Sequence, residues 1–199
     1  MAFLLSASRS GTDFELKGRM VSLRAPAMGD YAAWAELRTF SRKELEPYEP
    51  AWTRDELSRT NFRLRLKHYS REVAQDMGHA FFIFDAAGGR LLGAITLSNI
   101  RRGVAQAASV GYWMGTTDSG RGHMTEALRL LEPFAFRQLR LHRLEAGCVP
   151  DNHASIRVLE KCGFQREGLA RHYLRINGVW HDHLLFARLS DDPSAEVRL

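Results

Sequence analysis

The spacing of apolar and polar residues predicts a core of consecutive short strands. The apolar runs "HAFFIFDA" and "RLLGAITLSNI" and the alternating run "AQAASVGYWMG" are typical of strands. Gly88 and Gly89 separate the first two runs, and a polar turn near Gly103 separates the last two. Strands joined by such short turns pair with their chain neighbours, so this region is predicted to be an antiparallel meander.

Helical periodicity lies on both sides of the meander. Before it, a strand in "RMVSLRAP" precedes a helix in "MGDYAAWAELRTF" that is predicted to be capped by Asp30. A loop in "SRKELEPYEPAW" follows, and then a long basic helix that opens with a Thr-x-x-Glu capping box at Thr53. After it, the pattern predicts a helix from Arg121 to Arg137 containing Pro133, a strand in "LHRLEAGCV", and a helix capped by Asn152. A hairpin turning at Asn177-Gly178 follows.

This element order predicts an α+β fold in which a mixed, mostly antiparallel sheet of about seven strands is flanked by about four helices. We expect a single domain over residues 19–190, with a flexible N-terminal segment at 1–18 and a C-terminal tail at 191–199.

Composition narrows the possible environment and partners. A hydrophobic content of 45% and a charged content of 26% are ordinary for a globular chain, and the apolar runs are too short to span a bilayer. The net charge of +5 favours acidic partners such as nucleotide phosphates or a ribosomal surface, although a solvated arginine-rich surface would give the same excess. No aromatic nucleic-acid motif accompanies the basic residues, so specific nucleic-acid binding is not expected. With no secretory signal pattern and two cysteines outside any metal spacing, we expect a cytoplasmic protein. The oligomeric state stays open between a monomer and a homodimer.

The segment "SGRGHM", residues 119–124, joins a predicted strand to a predicted helix. Its two glycines fit a tight turn, and they also fit an anion site, because the first turn of a helix leaves backbone N–H groups free and glycine lets a phosphate approach them. The local sequence alone leaves both interpretations open.

The order of "SGRGHMTEA", "VPDNHASIRVLEKCGF" and "YLRINGVWHDH" resembles the GNAT N-acetyltransferases, and within them the branch that acetylates the N-terminal alanine of ribosomal proteins. The similarity runs from about Arg19 to Leu189. It implies the GNAT fold, with a central sheet splayed at an acetyl-CoA cleft, and acetyl-CoA as cosubstrate without a metal. Ser119 and Met124 differ from the family's usual residues at the two ends of its phosphate loop. The resemblance implies that acetyl-CoA contacts the following residues: Trp113, Met114, Gly115, Gly120, Arg121, Gly122, His123, Met124, Thr125, Asn152 and Ser155.

The resemblance also suggests catalytic residues. A backbone N–H near Met114 would meet the developing oxyanion, and Ser155 would donate to the leaving sulfur, since Leu159 stands where many family members have Tyr. Glu145 is a candidate base because it shares a strand face with Gly147, where some N-terminal acetyltransferases carry Glu. A surface salt bridge is the alternative role for this residue.

Residues of the loop before the long helix are candidates for binding the acceptor: Glu46, Tyr48 and Trp52, with Glu44 as a further possibility for an α-ammonium. His181 and His183 alternate on a predicted strand without a third ligand, so we interpret them as a strand face and expect no metal.

The resulting hypothesis is acetyl transfer to an amine, most simply the N-terminal α-amine of a protein such as a ribosomal protein, with possible ribosome association. Two alternatives stay open: acetylation of a small amine such as an amino acid, polyamine or antibiotic, and a non-catalytic protein that binds coenzyme A.

Overall fold

The computed structural model describes residues 14–193. These residues form one eight-stranded sheet with the strand order β1-β2-β3-β4-β5-β6-β8-β7. The strands are β1 (Glu15–Lys17), β2 (Val21–Arg24), β3 (His79–Asp85), β4 (Leu91–Arg101), β5 (Ala107–Met114), β6 (Arg143–Cys148), β7 (Gln165–Ile176) and β8 (Val179–Leu189). The helices are α1 (Tyr31–Phe40), α2 (Arg42–Leu45), α3 (Arg59–Ala74), α4 (His123–Pro133) and α5 (His153–Lys161).

Helices cover both faces of the sheet, so the predicted α+β architecture of a mostly antiparallel sheet flanked by helices is confirmed. On one face, α4 and α5 enclose the larger core with buried residues such as Leu128, Leu131 and Leu159. On the other face, α1 and α3 enclose a second core in which Trp34 and Phe62 stack with ring centroids 4.8 Å apart. The sheet is therefore a central layer with a hydrophobic core on each side.

The predicted meander and hairpin are confirmed. β3, β4 and β5 pair antiparallel in chain order, and β7 pairs with β8 through a turn in which Asn177 and Gly178 both have positive φ, 48° and 82°. Positive φ at both central residues is typical of a type I′ hairpin. The observed strand number is eight, and the additional strand is β1, which lies inside the predicted N-terminal segment 1–18.

Three local predictions need correction. The long helix begins at Arg59 rather than near Thr53, because the Oγ atom of Ser58 accepts a hydrogen bond from the Asn61 N–H at 3.1 Å and caps it there. The predicted loop at residues 41–52 contains α2 and a short 3₁₀ turn at Glu46–Tyr48. Asp30 precedes α1 as predicted but does not cap it, since its carboxylate pairs with the Arg24 guanidinium at 2.6 Å.

The ends of the predicted domain lie partly outside the described residues, which exclude 1–13 and 194–199. At the C-terminal end, Asp192 accepts a hydrogen bond from the Leu189 N–H at 2.8 Å, so the start of the predicted tail folds back on β8. In residues 14–193, none of the helices combines the length and the apolar character needed to cross a bilayer.

Candidate active site

A gap between β5 and β6 forms the centre of the site. These parallel strands pair only from Ala107–Arg143 to Ser109–Glu145, and beyond this point they have no register with each other. A cavity of about 670 Å³ opens beside the gap, between the end of β5, the start of α4 and the start of α5. The predicted splay of the sheet is thus present at the predicted place.

The backbone of β5 presents alternate residues to this gap. Gly115 donates its N–H to the Leu92 carbonyl at 2.8 Å, and the carbonyl of Trp113 lies so close to Gly93 that a Cβ atom on Gly93 would be 2.3 Å from it. The backbone groups of Trp113 and Gly115 therefore face β4. Because these groups alternate in direction along a strand, those of Tyr112 and Met114 face the gap. The Met114 N–H, which is the predicted oxyanion donor, therefore points toward the gap.

The turn into α4 is built to receive an anion. Gly120 and Gly122 adopt φ values of 77° and 87°, a left-handed conformation that favours glycine. The amide N–H groups of residues 120–125 find no backbone acceptor in the part of the chain that the structure describes, and the Nδ1 atom of His123 is buried without a partner. Free amides at the positive end of a helix dipole suit the phosphates of a nucleotide, so these residues fit the pyrophosphate of coenzyme A.

An ion pair fixes the segment before this turn. Arg90 binds both carboxylate oxygens of Asp118, at 2.7 and 2.8 Å, and the Asp118 side chain is almost fully buried. The hydrogen bonds from Arg90 lower the pKa of Asp118 to about 2. Asp118 therefore stays ionised at neutral pH, and the 3₁₀ turn Thr116–Asp118 is held against the sheet.

The start of α5 closes the cavity opposite β5. Asn152 is the N-cap, as predicted, because its Oδ1 accepts from the Ser155 N–H at 3.0 Å. The hydroxyl oxygens of Ser155 and Tyr112 lie 2.8 Å apart. Burial raises the pKa of Tyr112 well above its ordinary value, so its hydroxyl keeps its proton throughout the usual assay range. The contact places Ser155 at the meeting point of α5 and β5.

A second, smaller cavity of about 200 Å³ lies on the other side of this contact. It shares Tyr48, Tyr112, Asn152 and Ser155 with the larger cavity. Its remaining lining residues are Val110, Gly111, Ala146, Gly147, Cys148, Val149, Ile176 and His183. The wall that the two cavities share therefore contains the Ser155–Tyr112 contact.

Contacts from two other segments hold Tyr48 at the rim of both cavities. The Ser41 Oγ accepts a hydrogen bond from the Thr116 N–H at 3.0 Å, which ties the start of α2 to the end of β5. The Asn177 side-chain amide donates to the Glu46 carbonyl at 2.7 Å, which ties the 3₁₀ turn to the β7–β8 hairpin.

Most of the predicted cofactor residues come together around the larger cavity, which is lined by Trp113, Met114, Gly120, Gly122, His123, Met124, Thr125, Asn152 and Ser155. Gly115 and Arg121 do not line it. Gly115 instead contacts α1, since a Cβ atom there would lie 2.5 Å from Leu37. The side chain of Trp113 also packs against the second core.

The predicted base and two of the predicted acceptor residues lie away from both cavities. Glu145 is bound by Arg101 and Arg143 on the sheet surface, so its carboxylate is engaged in ion pairs. Glu46 pairs with Arg42, and the Trp52 indole donates to Glu49 at 2.9 Å. The structure therefore gives these three residues structural contacts and no contact with the cavities.

Sequence reasoning missed three lining residues of the smaller cavity: Tyr112, Ile176 and His183. The segment "HDH" shows that His181 and His183 share one face of a strand. This alternation does not show which face of β8 borders the cavity. Within residues 14–193, no group of three potential metal ligands occurs.

The comparisons with known proteins agree with this geometry. Residues 21–165 match the family described as acetyltransferase (GNAT) domain. The chain is 39% identical over 177 residues to a probable N-acetyltransferase of Bacillus subtilis, YjcK, covering 89% of this chain and 98% of that protein. It is 32% identical over 165 residues to the [ribosomal protein uS5]-alanine N-acetyltransferase of Escherichia coli, covering 82% and 85%. The structure of Mycobacterium smegmatis RimJ in complex with CoA-disulfide superposes with a TM-score of 0.82 at 33% identity, covering 88% of this chain and 85% of that one.

Proposed function

This chain belongs to the GNAT acetyltransferase family and is an N-acetyltransferase, and from that premise we propose that it transfers the acetyl group of acetyl-CoA to the N-terminal α-amine of a protein. The acceptor we propose is a ribosomal protein whose first residue is small, modified in the cytoplasm. The name of the Escherichia coli relative supports this choice.

The observation that carries the proposal is the lining of the smaller cavity. It has about 200 Å³ of space and no carboxylate side chain among its lining residues. A polyamine or an aminoglycoside carries several cations, and burying them without acidic partners is costly. A peptide N-terminus brings one amine and a small first side chain, which such a cavity accommodates.

The chemistry of an α-amine also suits this site. An α-amine titrates near 7.7–8.0 and a lysine near 10.4, so deprotonating an N-terminus at neutral pH takes about 3–4 kcal/mol less free energy. The acetyl thioester supplies an electrophilic carbonyl carbon and a thiolate leaving group. Met114 would donate its backbone N–H to the developing oxyanion, and Ser155, held by Tyr112, would donate to the leaving sulfur.

The proposed cosubstrate site uses the free amides of residues 120–125 for the pyrophosphate and the gap edge of β5 for pantetheine. Pantetheine contains amide groups of its own, so it pairs with an exposed strand edge as an additional strand would. The departures at Ser119 and Met124 leave this backbone donation intact, because neither changes the conformation of the two glycines.

Thiol release from acetyl-CoA tests the proposal. The acceptors are short peptides that begin with Ala, Ser or Met, each with an N-terminally blocked twin, together with polyamines, amino acids and aminoglycosides. We expect turnover with free peptides that begin with Ala or Ser and none with the blocked twins. Turnover confined to the small amines would assign the enzyme to small-molecule acetylation instead.

A further inference from the structure

His183 occupies the smaller cavity and has no role in the function described so far. It lies on β8 opposite Ala170 of β7, and only 3% of its surface is exposed. Its side chain nevertheless lines the cavity that also contains Ser155 and Cys148. A buried histidine that borders a substrate-sized cavity needs an explanation in terms of either packing or proton transfer.

The hydrogen bond of the imidazole defines which nitrogen carries the proton. The Nδ1 atom lies 3.0 Å from the backbone carbonyl oxygen of His181. A carbonyl oxygen only accepts, so Nδ1 must donate, and in the neutral ring Nε2 then carries the lone pair. Nε2 has no protein hydrogen-bond partner among the described residues, which leaves it available to a molecule in the cavity.

An irregularity in β7 orients the ring. The register of β7 with β8 shifts between Ala170 and Leu174, and His172 within this bulge has a φ of 46°. The Asp182 carboxylate stabilises the bulge by accepting the His172 N–H at 2.8 Å. The bulge brings the Tyr173 ring edge-on to the imidazole of His183, with centroids 5.6 Å apart. Bulges of this kind commonly re-aim a side chain beside an active site.

We propose that His183 is the proton acceptor for the amine in the acetyl-transfer reaction. Nε2 takes one proton from the α-ammonium group, directly or through one water, and the neutral nitrogen then attacks the thioester carbon. The C–N bond forms, and the nitrogen loses its second proton as the C–S bond breaks. The departing sulfur gains a proton, and the imidazolium of His183 returns its proton to solvent. The net products are the acetylated amine, coenzyme A and one proton.

Other side chains in the cavity are less suited to this role. The titratable groups that line it besides His183 are Tyr48, Tyr112 and Cys148. Burial raises the pKa of Cys148 and that of Tyr112, so both are protonated near neutral pH. Histidine is the side chain that ordinarily exchanges protons in this range. The proposal rests on acetyl transfer to an amine and holds for either a peptide or a small-molecule acceptor.

The test compares acceptors of different basicity in His183→Asn, which retains a side-chain N–H for the His181 carbonyl and removes the lone pair at Nε2. One peptide begins with alanine and the other with trifluoroalanine, whose amine is largely neutral at the assay pH. We expect kcat/KM for the alanine peptide to fall about 100-fold or more, and for the trifluoroalanine peptide to fall less than about 10-fold. An equal loss for both peptides, or no loss, would overturn the proposal.

Control variants and a measurement without an acceptor complete the design. His68→Asn changes an exposed histidine on α3 that lines neither cavity, and should leave both rates within about twofold. His183→Gln serves as the second variant if the first does not fold. Long-range ¹H–¹⁵N correlation spectra of the wild-type protein bound to coenzyme A should show the Nδ1–H tautomer for His183. An Nε2–H tautomer would contradict the role proposed for His183, whether or not any peptide is acetylated. Absence of peptide acetylation alone would refute only the proposed acceptor.

Discussion

The hydroxyl oxygens of Tyr112 and Ser155 lie 2.8 Å apart and connect β5 to α5 across the gap in the sheet. The two residues are separated by 43 positions in the chain, so folding alone brings them together. Tyr112 keeps its proton because burial raises its pKa. It can therefore donate to Ser155 and leave the serine hydroxyl proton free for an incoming ligand.

Ser155→Ala should lower kcat about 10-fold while leaving the KM for the peptide within about twofold, because a thiol titrates near 8.5 and leaves without strong acid assistance. Steady-state kinetics with the preferred peptide measures both constants. Ser70→Ala, at an exposed helix serine, is the matched control. An unchanged kcat would exclude Ser155 as the donor to sulfur.

Gly120→Ala should weaken coenzyme A binding about 10-fold. No atom lies within 4 Å of the position that its Cβ would occupy, so the loss does not come from a clash inside the protein. It comes from the left-handed φ of 77°, which costs about 1–2 kcal/mol for a residue with a side chain, and from a methyl group that hinders the approach of a phosphate. Calorimetric titration with coenzyme A provides the measurement. Gly168→Ala, also in open space but without a positive φ, should bind as the wild type does. Equal affinities for the two variants would argue against phosphate binding at this turn.

Glu132→Gln should stabilise the protein at pH 8 and have little effect at pH 4.5. Burial raises the pKa of Glu132 to about 7, against opposing contributions from Arg188 and Arg129. A raised carboxyl pKa means that the folded state binds more protons than the unfolded state between about pH 4.5 and 7, so stability falls as pH rises through this window. The glutamine variant lacks this loss, which amounts to about 3 kcal/mol above pH 7.

Urea unfolding of Glu132→Gln and of the wild type at both pH values isolates this contribution. All other carboxylates are the same in the two proteins, so their contributions cancel in the difference between the two free energies of unfolding. Glu160→Gln, at an exposed position on α5, should give a difference below about 0.5 kcal/mol at either pH. A Glu132→Gln difference that does not change with pH would show that the side chain is ionised in the folded state.

Arg38→Met should destabilise the protein by about 3 kcal/mol. Arg38 is 6% exposed, binds both Glu49 oxygens and lies 4.3 Å from the Trp52 ring centroid, so its removal leaves a carboxylate partly buried without its partner. Arg42→Met is the control, because it breaks an exposed pair with Glu46 that is worth at most about 1 kcal/mol. Chemical denaturation compares the two variants, and equal losses would contradict the assignment of Arg38 as a buried structural cation.

Local sequence was sufficient where the determining contacts are local. The Asn152 cap acts three residues along the chain, and the left-handed glycines Gly120 and Gly122 need only their own backbone. These features allow the turn into α4 and the start of α5 to be predicted from the sequence alone.

Other features depend on contacts that a single sequence does not display. The sequence left Glu145 open as a base or as a salt-bridge partner, because the Arg101 that binds it is 44 positions away in the chain. The capping box at Thr53 predicted the start of the long helix, but the observed cap is Ser58, and Phe62 in the first turn packs against Trp34 of α1, which is distant in the sequence. The place of His183 beside the cavity depends on the pairing of β7 with β8. The bulge in β7 that brings Tyr173 against the imidazole is not visible in the sequence.

The short pairing between β5 and β6 has a mechanical consequence. In the described part of the chain, it is the only strand ladder that joins the five strands before the gap to the three after it, and it comprises three residue pairs. An extended ligand in the gap would contact both parts of the sheet. Because such a ligand binds the folded state and not the unfolded chain, it stabilises the whole domain against unfolding by an amount that grows with its free concentration. The lifetime of this protein against proteolysis should therefore rise and fall with the supply of its own cosubstrate.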